Sequence, residues 1–166
     1  MDKIQVLKPK YRTKEILTEI QECLDTSWTG MGGKAIEFEE EWKDYTNFEH
    51  AHFLQSATAG LHLAVKIFKE KYGWEDGDEI ITTPLTFVST NHAIMYENLK
   101  PVFADVDDSL CLDPDSVLSK ITDKTRAVMF VGIGGNIGQY DKIREICNLQ
   151  NIPLILDAAH LAGTQT

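Results

Sequence analysis

Two hydrophobic rhythms alternate along the chain, a helical period and short apolar runs. Ile16, Leu17, Ile20 and Leu24 recur at helical spacing behind Thr13, which is placed to cap that helix. The stretch Trp28 to Gly33 (Trp-Thr-Gly-Met-Gly-Gly) then breaks the pattern. A second helix is predicted over Lys34 to Thr46, with Ile36, Phe38, Trp42 and Tyr45 as its apolar side. Its Glu37, Glu39, Glu40 and Glu41 read as a solvated face. From there strands and helices alternate. Strands are predicted at Ala51–Leu54, Glu79–Thr83, Pro101–Val106, Arg126–Val131 and Pro153–Leu156. Helices are predicted at Ala57–Tyr72, where Leu61, Ala64, Val65 and Phe68 share a face, and at Val88–Asn98 and Tyr140–Gln150. Asp113-Pro114 opens one more, with Asp as cap and Pro at the first helical position.

Helices between short apolar strands imply an α/β fold, a mainly parallel sheet with helices on both faces. In such sheets ligands sit beyond the carboxyl ends of the strands. Four segments lie there: Gln55–Gly60, Thr83–Ser89, Gly132–Gln139 and Asp157–Gly163. Composition narrows the chemistry. With 166 residues, 43% apolar and 25% charged, the chain is long enough for one core and is neither disordered nor fibrous. A net charge of −10 argues against a protein that wraps nucleic acid, but loop amides hold an anion on an acidic protein as well. No apolar run approaches a membrane span and no apolar leader is present, so a cytoplasmic location and no membrane contact are expected. Cys23, Cys111 and Cys147 are scattered and odd in number, so neither a disulfide framework nor a zinc site is expected.

Each candidate residue carries two readings. Ser56-Ala57-Thr58-Ala59-Gly60 joins a strand to a helix start, which makes either a phosphate cradle or an ordinary N-cap. Phe87 either stacks on a flat ligand ring or fills the core. Asp157 closes an apolar strand, where a carboxylate is costly without a partner. It pairs with a cationic ligand nitrogen, as a pyridinium would require, or it caps the next helix. His160 reaches the same ligand or lies on that helix. Gly132 to Gly138 misses the dinucleotide fingerprint because Ile137 stands where glycine is needed, which excludes NAD. His50, His52, His62 and His92 read as structural or surface residues, and Asp105, Asp107 and Asp108 as a turn.

In order along the chain, these segments resemble the DegT/DnrJ/StrS family of pyridoxal-phosphate-dependent nucleotide-sugar aminotransferases. Trp28-Thr-Gly-Met-Gly-Gly followed by Glu37-Phe38-Glu39 looks like the family's glycine turn and Phe-Glu helix. Ser56 to Ala64 looks like its Ser-Gly-Thr-x-Ala-Leu phosphate loop, and Thr83 to Thr90 like its Thr-Phe-Val-x-Thr segment. Gly135-Asn136-Ile137-Gly138 is similar to its Gly-Asn loop, and Asp157-Ala158-Ala159-His160 to its Asp-Ala-Ala-His motif. The motifs are weak singly and specific as an ordered set running from Trp28 to Gly163.

The resemblance implies an aspartate-aminotransferase-like large domain and pyridoxal 5'-phosphate as cofactor. It divides the chain into an N-terminal helix and glycine-rich turn, 1–33, and a partial cofactor-binding large domain, 34–166. Amides at Ala57 and Thr58, with the Thr58 hydroxyl, would hold the phosphate. Phe87 would stack on the ring, Asp157 would pair with the ring nitrogen, and His160 would lie near the phenolic oxygen. Ala57 stands where glycine is commoner, and Gly135 where many members have histidine. The family's Schiff-base lysine follows the Asp-Ala-Ala-His motif after a further strand and loop. It is therefore expected beyond Thr166, and Lys124 and Lys142 do not match it. The chain thus reads as the truncated front portion of an enzyme acting on a nucleotide-linked keto sugar, with a donor such as glutamate, homodimeric at full length. The alternatives are a family dehydratase, a catalytically inactive cofactor-binding remnant, and an unrelated α/β binding domain.

Overall fold

The computed structural model describes residues 9–28 and 30–164. It divides into two compact units, Met1–Phe53 and Leu54–Thr166. The division expected at Gly33 falls inside the first.

The first unit holds α1 (Thr13–Asp25) and α2 (Gly33–Thr46). The turn of α1 closes from the Arg12 carbonyl to the Ile16 amide, so Thr13 is already helical. Thr13 therefore does not cap: Arg12 holds that position, and its side chain offers no acceptor. Lys34 joins the helices through ion pairs with Glu19 and with Glu22, the latter at 2.8 Å. The strand expected at Ala51–Leu54 is absent. The amide of Phe53 donates to Glu39 Oε1 at 2.7 Å, and its ring sits edge-on to Phe38 at 5.5 Å. A side chain of α2 thus takes the bond that a neighbouring strand would have needed.

The second unit is a sheet covered on both sides. It runs α3 (Ala57–Tyr72), β1 (Glu79–Thr82), α4 (Val88–Tyr96), β2 (Lys100–Phe103), α5 (Pro114–Lys120), β3 (Thr125–Val131), α6 (Tyr140–Gln150) and β4 (Leu154–Asp157). All pairings are parallel and the strand order is β2-β1-β3-β4. Strand β2 ends at Phe103; of the longer strand expected there, Val106 makes only an isolated antiparallel bridge to Leu112. Asp113 caps α5, accepting from the Asp115 amide at 3.1 Å, as the Asp-Pro pair predicts.

Side-chain alternation sorts the two faces. Ile80, Ala127, Met129 and Ile155 point to one side, where Leu61 and Val65 of α3 and Ala93 and Ile94 of α4 cover them. Ile81, Val128 and Phe130 point to the other, against Val117 of α5 and Ile143 and Ile146 of α6. The chain leaves β1 for β2 on one side and then returns for β3 on the other. This reversal opens a crevice at the carboxyl ends of β1 and β3.

Candidate functional site

Strand parity places the first residue. Asp157 ends β4 two positions after Ile155, so it faces the same side, toward α3 and α4. It is buried. Its Oδ2 accepts from the Thr90 hydroxyl at 2.6 Å, and its Oδ1 accepts from the Ala159 amide at 3.2 Å. Thr90 is in the first turn of α4 and is fully buried. Its oxygen lies 2.8 Å from the Thr86 hydroxyl, one turn back. Asp157 does close a turn through Oδ1, as the capping alternative required, but no helix follows it among the described residues. Its Oδ2 accepts from Thr90.

Phe87 is the N-cap residue of α4 and 73% exposed, so it is not a core residue. The backbone of α4 ties it to the carboxylate's partner, because the Thr90 amide donates to the Phe87 carbonyl at 3.2 Å. Ring and carboxylate therefore depend on one helix start.

The start of α3 shows what the small residues do. Ser56 is extended and its Oγ accepts from the Ala59 amide at 3.2 Å, so the capping reading holds for Ser56. The Gly60 amide donates to the Ser56 carbonyl at 3.1 Å. Ala57 and Thr58 occupy the first turn, where no acceptor exists within the helix, so their N–H groups remain for a ligand. Ala57 is exposed and Thr58 half-buried. Capping and anion binding are thus compatible, because they use different amides. The partial positive charge of the helix end adds to them.

His160 is not on a helix. Its Nδ1 accepts from the Gly134 amide at 3.0 Å, across 26 residues. Gly134 has φ 61° and ψ 17°, a left-handed conformation that glycine adopts without strain. A neutral His160 consequently carries its proton on Nε2. Gly135 is left-handed as well, and a Cβ there would lie 3.4 Å from the His160 carbonyl oxygen.

The structure therefore brings Asp157, Thr90, Thr86 and Phe87 together, and His160 with the loop after β3. All lie at the carboxyl ends of the strands, with the start of α3 on the helix that packs against α4 and touches β4. Thr86 and Thr90 are the two threonines of the Thr-Phe-Val-x-Thr segment, but the sequence reading gave neither of them a role. A separate cavity of about 580 Å³, lined by Tyr72, Trp74, Arg126, Cys147, Ile152 and Pro153, opens at the opposite edge, where β3 and β4 begin.

Residues 10–166 match the model of the DegT/DnrJ/EryC1/StrS aminotransferase family. The chain is 37% identical over 152 residues to SpsC, the spore coat polysaccharide biosynthesis protein of Bacillus subtilis strain 168, covering 91% of this chain and 38% of that protein. The crystal structure of DesI in the presence of its TDP-sugar product aligns with a TM-score of 0.80 and 33% identity, over 93% of this chain and 38% of that one. NtdA of Bacillus subtilis with bound cofactor PMP aligns with a TM-score of 0.80 and 26% identity, over 88% and 33%. The chain spans 38–39% of the length of the curated relatives it matches.

Proposed function

The chain belongs to the DegT/DnrJ/EryC1/StrS aminotransferase family, and we propose that it serves the transfer of an amino group to a keto sugar carried on a nucleotide. The family's cofactor is pyridoxal 5'-phosphate. The DesI complex with a TDP-sugar and the polysaccharide role of SpsC support the substrate class. Glutamate as donor, a homodimer at full length and a cytoplasmic setting go with this reading. The observation that carries it is Asp157, a buried carboxylate with a hydroxyl donor at 2.6 Å, at the end of a parallel strand.

The residues present fit the cofactor. Two free amides at a helix start suit a phosphate, an exposed aromatic suits a flat ring, and a buried carboxylate needs a cation. When bound, pyridoxal phosphate supplies an electron sink for charge developing at the carbon that bears the amino group. The chain's own residues do the rest. Ala57 and Thr58 donate their N–H groups, and Thr58 its hydroxyl, to the phosphate. Phe87 covers one face of the ring and keeps water from it. Asp157 holds a proton on the ring nitrogen by offering a fixed negative charge beside it. His160 donates from Nε2 to the phenolic oxygen, since Nδ1 is already committed to Gly134.

The test is binding of pyridoxamine 5'-phosphate, which needs no lysine. Asp157→Ala should weaken it about 100-fold, the scale for deleting one partner of a buried charge pair. Equal affinity in variant and parent would remove Asp157 from the site.

A further inference from the structure

We propose that Thr90 is a positioning residue, whose buried hydroxyl, itself oriented by Thr86, holds the Asp157 carboxylate aimed at the cofactor's ring nitrogen. The inference rests on the cofactor reading above. Its first support is the direction of the hydrogen bonds. An ionised carboxylate only accepts, so the single Thr90 proton goes to Asp157 Oδ2 at 2.6 Å. The Thr90 oxygen is then free to accept, and the Thr86 proton goes to it at 2.8 Å. The chain of bonds runs one way, from Thr86 through Thr90 to Asp157, and it ends on a negative charge.

Burial makes this contact hard to replace. Thr90 is fully buried, so water does not take over the bond when the hydroxyl is removed. A donor on each carboxylate oxygen, Thr90 on Oδ2 and the Ala159 amide on Oδ1, holds the plane of the group. The Thr90 hydroxyl also forgoes the carbonyls of its own helix for a carboxylate 67 residues away, which is a tertiary contact and not a local cap. Because the Thr90 amide bonds the Phe87 carbonyl, the ring and the carboxylate keep a common reference.

The experiment compares the affinity of the protein for pyridoxamine 5'-phosphate and for its 1-deaza analogue, in which carbon replaces the ring nitrogen. The parent should prefer the natural cofactor. Thr90→Val keeps the side-chain shape and removes the hydroxyl. It should lose about tenfold affinity for pyridoxamine 5'-phosphate, the scale of one hydrogen bond to a charged group, and leave the deaza analogue unchanged. Thr90→Ser should restore the preference. Thr86→Val removes only the outer link and should narrow the preference by about threefold, giving a second reading if Thr90→Val fails to fold. Equal loss for both ligands in Thr90→Val, or no loss for either, would overturn the positioning role. A parent that binds both ligands alike would overturn the cofactor site itself, and Thr90's role with it.

Discussion

His160 has one ring nitrogen engaged, which fixes the other. With the Gly134 amide on Nδ1, nitrogen NMR of the protein should find a neutral His160 as the Nε2–H tautomer; an Nδ1–H tautomer would break the proposed donation to the phenolic oxygen. Gly134→Ala forces a side chain into left-handed backbone at a cost of about 1 kcal/mol, and the tautomer preference should weaken with it. How legible these residues were depended on how local their signal was. Asp157 stood out because a charge ends an apolar run, and Phe87 because it follows a strand end. Thr90 and Gly134 did not, because their partners lie 67 and 26 residues away. A threonine in the first turn of a helix has a sufficient local explanation, and nothing in the sequence says that its hydroxyl faces a carboxylate.

Among the elements, the helices of the second unit and the central strands followed the hydrophobic period closely, since one face of each of these helices packs on the sheet. Ala51–Leu54 failed because four residues with the look of a strand still need a neighbouring edge, and Glu39 supplied the hydrogen bond instead. Caps divided in the same way. Asp113 acts as read, and Asp113→Ala should lower stability by about 1 kcal/mol in urea unfolding. Strand β1 carries a second dependence at its start. Burial pushes the Asp78 carboxyl up, but the Glu75 amide and the Arg126 guanidinium at 2.8 Å outweigh it and bring the value below the ordinary range. The Thr122 hydroxyl and the Lys100 ammonium lower Glu79 likewise. A lowered carboxylate stabilises the fold fully above its unfolded value, about 4, and the contribution is lost as pH falls through the folded value. Unfolding midpoints should therefore hold from pH 7 to about pH 5 and drop below about pH 4, and Asp78→Asn should flatten that drop. An unchanged slope would assign acid sensitivity to other groups.

At the scale of the molecule, stability and chemistry both gather in the second unit. Neither α1 nor α2 has a buried residue, whereas both faces of the sheet are packed. Hydrogen exchange should release the amides of α1 and α2 well before those of β1 and β3. The same packing carries Asp157, Phe87 and the start of α3 to one end of the sheet, and that end is where the account stands or falls. The most direct measurement is the nitrogen NMR of pyridoxamine 5'-phosphate, labelled at the ring nitrogen and bound to the protein near neutral pH. A protonated ring nitrogen, lost in Asp157→Ala, is the predicted result. A bound cofactor with an unprotonated nitrogen, or one indifferent to Asp157, would contradict it.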